Sequence, residues 1–111
     1  MKIALIQFNA SVSDIKGNVD KMKSLSTKAF ELGGDIVIFP EMSVCGYPPE
    51  DLLLKEQFVN ENQLAIEELA KNCPDITIIA GFARPGAKGT YNSLAVLQEG
   101  RIRKIYHKNI L

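Results

Sequence analysis

The sequence predicts an α/β fold built on a mixed β-sheet. Apolar runs of strand length alternate with helical segments as far as residue 81, which is the strand-helix-strand pattern of parallel sheets. Two further runs are joined by a short turn that contains glycine, which is typical of an antiparallel hairpin. A sheet that contains both kinds of pairing is mixed, and we expect its helices to cover one face.

Three segments are predicted to form the parallel strands. Residues 3–8 (IALIQF), 35–39 (DIVIF) and 76–81 (ITIIAG) are mostly continuous apolar runs, as expected for strands buried on both faces. Pro40 ends the second run because proline has no amide hydrogen to donate to a continuing ladder. These strands form the predicted centre of the sheet.

The first predicted helix lies between the first two strands. Apolar residues recur at helical spacing from Val19 to Leu32, with lysines on the other faces. Asp14 or Asn18 is a candidate N-cap, because both side chains accept hydrogen bonds from free amides at a helix start. Gly33 and Gly34 permit the helix to end there.

Two helices are predicted between the second and third strands. A short helix is expected around residues 51–54 and a longer one over residues 56–72, ended by Cys73 and Pro74. The longer helix presents one apolar side to the sheet. Its predicted inward residues are Phe58, Ala65, Leu69 and Ala70.

The last part of the chain is predicted to be a turn and a hairpin. Residues 83–89 (ARPGAKG) are rich in turn formers, and strands are expected over residues 91–98 and 101–106. Gly100 permits the positive φ that a tight hairpin turn requires. The sequence then stops at YHKNIL, and an unpaired strand edge is a liability in a complete domain. We therefore expect a fragment of a longer domain.

Composition favours a single globular domain and excludes several functions. The 111 residues are 46% hydrophobic and 23% charged, and 13 basic residues balance 13 acidic ones. Scattered lysines without a basic patch argue against nucleic acid or an anionic membrane as partner. The apolar runs are far shorter than the roughly 18 residues of a membrane-spanning helix. We expect a cytoplasmic protein with small-molecule or protein partners.

Glu41 and Lys108 are the first candidate site residues. Glu41 follows the second strand and Lys108 follows the last, so the two share an edge if their strands are neighbours. A carboxylate can act as a general base, and an ammonium can stabilise a developing oxyanion. The alternative is a solvated ion pair worth about 0 to 1 kcal/mol. The spacing alone leaves both interpretations open.

The two cysteines and the histidine are predicted to be structural. Cys45 lies four residues after Glu41, whose negative charge disfavours a thiolate, and small buried cysteines are common. Cys73 lies at a helix end, and the spacing of these residues does not match a metal site. His107 has no serine or acid placed to make a catalytic triad, so we expect it to face solvent.

Three stretches of the sequence resemble the carbon-nitrogen hydrolase (nitrilase) superfamily. They are KIALIQFNASVSDIKGNVDKM, DIVIFPEMSVCGYPPEDLL and GRIRKIYHKNIL, and the resemblance extends from Lys2 to Leu111. The FPE motif with a later lysine marks the superfamily. GYPPEDLLL is most similar to the glutaminase domains that supply ammonia to an ATP-dependent domain making NAD+ from deamido-NAD+.

The resemblance implies a fold and a site. It implies part of an α-β-β-α sandwich with a Glu-Lys-Cys catalytic set, in which Glu41 is the general base and Lys108 the oxyanion stabiliser. Tyr47 resembles a residue that lines the glutamine pocket. The nucleophilic cysteine of the family belongs to a third motif that is absent here, so residues 1–111 are predicted to be inactive alone.

The resemblance also implies partners. Glutamine is the implied substrate and a homo-oligomer the implied assembly, with no cofactor in this segment and ATP and Mg²⁺ in the synthetase domain. Two alternatives stay open. One is a free-standing omega-amidase, and the other is a non-catalytic α/β module in which Glu41 and Lys108 are only an ion pair.

Overall fold

The computed structural model describes residues 1–12, 14–46, 56–86 and 89–110. Five strands and two helices lie within these ranges. In chain order they are β1 (Ile3–Leu5), α1 (Ile15–Glu31), β2 (Ile36–Ile38), α2 (Glu56–Asn72), β3 (Thr77–Gly86), β4 (Gly89–Gln98) and β5 (Arg101–Ile110). Within the described ranges, neither helix combines the length and apolar character needed to cross a bilayer.

The strands form one mixed sheet in the order β1-β2-β3-β4-β5. The first three are parallel, and Val37 pairs with Ala4 on one side and Ile78 on the other. The last three are antiparallel, with β3 paired to β4 and β4 to β5. The predicted α/β fold with a mixed sheet is therefore confirmed.

Both helices cover the same face of the sheet. The crossovers from β1 to β2 and from β2 to β3 step in one direction, and right-handed crossovers then place α1 and α2 on one side. The two helices contact each other, and α2 contacts β3, β4 and β5. The core between these layers is mostly apolar, with a few buried polar side chains such as Asn62. Its most buried members include Val19, Met22, Val37, Ile66, Leu69, Ile78, Ala80, Ala95 and Leu97.

The opposite face of the sheet carries an open row of apolar side chains. Leu5, Ile38, Ile79 and Val96 share one register position across four strands. Leu5 is 76% exposed, whereas the other three are half-buried. Such a surface is costly to leave in water, since apolar burial contributes about 25 cal/mol per Å².

The helix boundaries agree well with the sequence patterns. The Asp14 carboxylate accepts a hydrogen bond from the Gly17 amide at 3.1 Å, so Asp14 is the N-cap of α1. Asn18, the other candidate, instead binds the backbone of Ser11 and Val44. Gly33 follows the end of α1 with a φ of 85°. The predicted glycine stop is thus confirmed.

The second helix has the predicted bounds of residues 56–72. Phe58, Leu69 and Ala70 are buried as predicted, and Ala65 is half-buried against the core. The short helix predicted around residues 51–54 lies outside the described residues.

The strand lengths differ from the predictions. Strands β1 and β2 are three residues long, shorter than residues 3–8 and 35–39. Strands β3 and β4 continue through most of the predicted turn at residues 83–89, because Gly86 pairs with Gly89. The Ala83 amide points away from β4, towards α2, and by alternation the position of Pro85 does too. A proline is tolerated there because no ladder amide is missing.

The final hairpin has the predicted turn but longer strands. Gln98 pairs with Arg101 across the two-residue loop of Glu99 and Gly100, and both loop residues have positive φ. Strand β5 extends to Ile110 rather than ending at Tyr106, because β4 supplies partners along its whole length. Lys108 therefore lies within a strand and not after it.

Candidate active site

Glu41 lies in a tight turn that is bound to the edge of β3. The Phe39 amide donates to the Ile79 carbonyl at 2.9 Å, and the Val44 amide donates to the Gly81 carbonyl at 3.2 Å. Between these bonds Met42 has a φ of 53°, a left-handed conformation that is costly for a residue with a side chain. The bonds on both sides hold the turn, so Glu41 projects from a defined backbone.

Burial and further hydrogen bonds stabilise this turn. The Met42 side chain is 1% exposed, the Gly46 amide donates to the Met42 carbonyl at 2.7 Å, and the Ser43 hydroxyl donates to the Pro40 carbonyl. A buried side chain and satisfied backbone groups offset the cost of the left-handed residue. The local sequence therefore presents the carboxylate from a rigid segment.

Lys108 is presented by a β-bulge. Ser93 pairs with His107 and Asn92 pairs with Asn109, so Lys108 is the extra residue on β5. Bulges of this kind redirect side chains and are frequent beside functional sites. The Lys108 ammonium contacts the Glu41 carboxylate, and the two side chains are 59% and 40% exposed. The structure thus brings the two sequence-predicted residues together.

The ion pair borders a cavity of about 360 Å³ on the sheet face opposite the helices. Its described lining residues are Glu41, Gly81, Asn92, Ser93, Leu94, Tyr106, His107 and Lys108. Leu94 pairs with Gly81 on one side and Tyr106 on the other, which places all three on one sheet face. A small polar molecule held there has an acid and a cation at one end and apolar walls beside it.

Asn92 is a site residue that the sequence analysis missed. It is 5% exposed and lines the cavity, and its side-chain amide can both donate and accept hydrogen bonds. The sequence feature that could have indicated it is the polar pair Asn92-Ser93 directly before the apolar run at residues 94–97.

Cys45 lies in the core and is not among the described residues that line the cavity. Its thiol is fully buried and donates to the Gly46 carbonyl at 3.3 Å. Burial raises the pKa of Cys45 from 9.0 to about 12, although backbone hydrogen bonds oppose this. Burial likewise raises the pKa of Cys73, opposed by the Lys23 charge. Neither thiol is an activated nucleophile.

His107 is exposed, as predicted, although a serine lies beside its ring. Its Nδ1 lies 3.0 Å from the Ser93 hydroxyl, its Nε2 lies 3.3 Å from the Arg84 guanidinium, and its ring lies 4.5 Å from the Tyr91 ring. A guanidinium only donates, so Nε2 accepts and Nδ1 carries the proton towards Ser93. A triad needs a carboxylate where Arg84 lies. The cluster therefore ties three strands together beside Lys108.

Two further predictions from the sequence concern Tyr47 and metal binding. Tyr47, the predicted pocket residue, lies outside the described residues. Across the described ranges, no group of three or more His, Cys, Asp or Glu residues is placed to hold a metal ion.

Comparison with known proteins defines the class to which this fold and site belong. Residues 2–111 match the model of the carbon-nitrogen hydrolases, and the chain belongs to this family. The glutamine-dependent NAD(+) synthetase of Acinetobacter baylyi is 39% identical to it over 111 residues, an alignment that covers 99% of this chain and 20% of that protein. The predicted family is therefore confirmed.

Solved structures show the same relationship. The glutamine-dependent NAD+ synthetase of Acinetobacter baumannii, determined with ADP, matches 98% of this chain and 21% of its own with a TM-score of 0.88 and 35% identity. A nitrilase-superfamily amidase from Nesterenkonia matches 97% of this chain and 42% of its own, with a TM-score of 0.81. Its identity of 23% indicates likeness of fold. The chain spans about a fifth of the length of the synthetases it matches.

Proposed function

We propose that this chain is the N-terminal part of a glutaminase domain and that the whole protein is a glutamine-dependent NAD+ synthetase. The observation that carries the proposal is the contact between Glu41 and Lys108 at one end of a cavity, in a chain of the carbon-nitrogen hydrolase family. The synthetase relatives are more similar in sequence to this chain than the Nesterenkonia amidase is, which favours glutamine as the amide substrate.

Glu41 and Lys108 would divide the chemistry between a base and an oxyanion donor. The Glu41 carboxylate accepts the proton of a cysteine thiol, and the thiolate attacks the side-chain amide carbon of glutamine. The Lys108 ammonium donates to the developing oxyanion, a role worth about 2.7 to 4 kcal/mol per donor. Glu41 then protonates the departing ammonia, and later activates the water that releases glutamate.

The nucleophile in this scheme comes from a later part of the domain. Cys45 does not serve, because its thiol is buried and its pKa is raised to about 12. Residues 1–111 alone are therefore proposed to be inactive. Tyr47, directly after the turn that holds Glu41, is proposed to line the glutamine pocket on the strength of the family resemblance.

The remaining parts of the protein are proposed from the fold and the relatives. We propose that the second sheet of an α-β-β-α sandwich packs on the open face that carries Leu5 and Ile79. A separate domain would use ATP and Mg²⁺ to amidate deamido-NAD+ with the released ammonia. The proposed setting is a cytoplasmic homo-oligomer.

The test is an assay of ammonia release from glutamine by the full-length protein that the gene encodes. We expect Glu41→Gln to lower kcat by about 10² to 10⁴, the usual contribution of a general base. Lys108→Met should lower kcat by about 10² to 10³, as the loss of an oxyanion donor does. If both variants retain activity within about tenfold of wild type, Glu41 and Lys108 are only an ion pair and the proposal fails.

A matched control is available on the same strand. Arg103 is exposed and is the extra residue of a second irregularity in β5, between the pairs Leu97-Ile102 and Val96-Lys104. It carries a cation in a comparable backbone setting but does not line the cavity described here. Arg103→Met should leave kcat within about twofold of wild type, since surface substitutions have small effects.

A further inference from the structure

The turn that carries Glu41 rests directly on the backbone of β3 at Gly81. A Cβ atom built on Gly81 would lie 2.6 Å from the Met42 amide nitrogen, 2.9 Å from the Glu41 Cα and 3.1 Å from the Glu41 carbonyl carbon. Cβ atoms essentially never approach other atoms within 3.0 Å. The atoms in the way belong to the backbone, so they cannot rotate aside. Only glycine fits at this point of the strand.

The need for glycine comes from this close approach and not from backbone conformation. Gly81 is absent from the glycines with positive φ in the described part of the chain, namely Gly33, Gly46 and Gly100. It lies in the middle of β3, where glycine weakens a strand and marks a place at which another backbone approaches. Glycine at position 81 therefore weakens β3, but it permits the close contact between β3 and the turn that carries Glu41.

Hydrogen bonds at both ends of the turn leave the contact with Gly81 to determine the position of Glu41. The bonds from Phe39 to Ile79 and from Val44 to Gly81 fix both ends of the turn along β3. The Glu41–Met42 peptide lies between these bonds, and its contact with Gly81 limits how closely it can approach the sheet. Lys108 is held by β5, two strands away in the same sheet. The separation of carboxylate and ammonium thus depends on how closely the turn approaches Gly81.

We propose that Gly81 is a positioning residue for the general base: the absence of a side chain there lets the Glu41–Met42 peptide lie on β3 and brings the Glu41 carboxylate to Lys108. The inference rests on the proposed function. A methyl group at Gly81 would force the turn outward by about 0.8 Å to reach ordinary contact at 3.4 Å. Misplacement of a catalytic group by about 1 Å can lower a rate on the order of 10²-fold.

The experiment compares Gly81→Ala with wild type in the full-length protein. We expect kcat for glutamine hydrolysis to fall by about tenfold to 10²-fold while KM stays within about threefold, because the base moves and the rest of the cavity does not. In a Glu41→Gln background the same substitution should lower kcat by less than about twofold, since the displaced group is already gone. A general structural defect would lower kcat equally in both backgrounds.

Gly34→Ala is the matched control. A Cβ at Gly34 would lie 2.8 Å from the Ala29 carbonyl oxygen, a comparable backbone collision at the end of α1. This variant should lose thermal stability and keep kcat within about twofold of wild type. A similar loss of kcat in both variants would overturn the positioning role of Gly81.

A crystal structure of the Gly81→Ala protein tests the role of Gly81 independently of the proposed function. We expect the Glu41 Cα to lie farther from β3 and the carboxylate to leave Lys108. A carboxylate that keeps its contact with Lys108, or a kcat within threefold of wild type, overturns the inference whatever the other variants show. If the wild-type protein releases no ammonia, the proposed function fails, and the position of Glu41 in this crystal structure still decides the role of Gly81.

Discussion

The Lys108 ammonium contacts the Glu41 carboxylate across two strands of the sheet, and both side chains are partly exposed. Ion pairs in water are worth about 0 to 1 kcal/mol, so this contact contributes little to the stability of the fold. Each member is nevertheless held by an unusual backbone feature, the left-handed Met42 beside Glu41 and the bulge at Lys108. Costly backbone features at both members favour a role in function over a role in stability.

Lys108→Met should therefore separate stability from activity. We expect the free energy of unfolding to change by less than about 1 kcal/mol, because an exposed ion pair is lost and the stem of the side chain remains. The loss of ammonia release should be far larger. Urea unfolding of the full-length protein measures the change in stability, and the glutaminase assay measures the loss of ammonia release. A destabilisation large enough to explain the loss of activity would contradict this prediction.

Cys45 should resist alkylation in the native protein. Its pKa of about 12 leaves almost no thiolate at pH 8, and the thiol is fully buried. Mass spectrometry after iodoacetamide treatment should find Cys45 unmodified under native conditions and modified in urea. Cys45→Ala should retain glutaminase activity within about threefold. Activity that disappears with this substitution, in a protein that remains folded, would show that Cys45 takes part in the chemistry.

The same thiol predicts a pH dependence of stability. The pKa of Cys45 is raised in the folded state, so the unfolded chain loses this proton first as the pH rises above 9.0. The native state then binds more protons than the unfolded state, and stability falls with pH up to about 12. The slope from one such group is at most about 1.4 kcal/mol per pH unit. Urea unfolding between pH 8 and pH 11 should show that the free energy of unfolding falls less steeply with pH in Cys45→Ala than in wild type.

Asn62 should be a strong stability determinant of the sheet-helix contact. It is fully buried on α2, its amide donates to the Phe58 carbonyl at 3.0 Å, and its oxygen accepts from the Ala83 amide at 3.3 Å. Asn62→Leu leaves the Ala83 amide buried without this acceptor and should cost about 1 to 3 kcal/mol in urea unfolding. Asn72→Leu is the control, since Asn72 makes the same kind of bond to Glu68 while exposed. It should change stability by less than about 0.5 kcal/mol.

Asn92→Ala should weaken the use of glutamine. Asn92 lines the cavity and is 5% exposed, so its side-chain amide can form a hydrogen bond with a substrate atom held there. Loss of one such bond costs about 1 to 1.5 kcal/mol, which corresponds to roughly tenfold in kcat/KM. Steady-state kinetics with glutamine measures this. An unchanged kcat/KM would show that Asn92 does not bind glutamine and instead packs against the part of the domain that completes the cavity.

The core elements were predictable because their causes are local. Hydrophobic periodicity located α1, α2 and the parallel strands, and cap and turn residues such as Asp14 and Gly100 marked boundaries. The strand ends were less predictable, since the β3–β4 ladder continues through a segment rich in glycine and proline. Pairing with a distant strand outweighed the local turn preference there.

By itself, the sequence determined the element types, the family and the two residues at the candidate site, because each depends on a short motif or a repeating pattern. Only the tertiary structure decided that Lys108 lies in a bulge, that the Glu41 turn rests on Gly81, that His107 joins Ser93 and Arg84, and that Asn92 faces the cavity. These features depend on register between strands that are distant in the chain. Such register is set by the sum of packing and pairing over the whole sheet, which no single stretch of residues encodes.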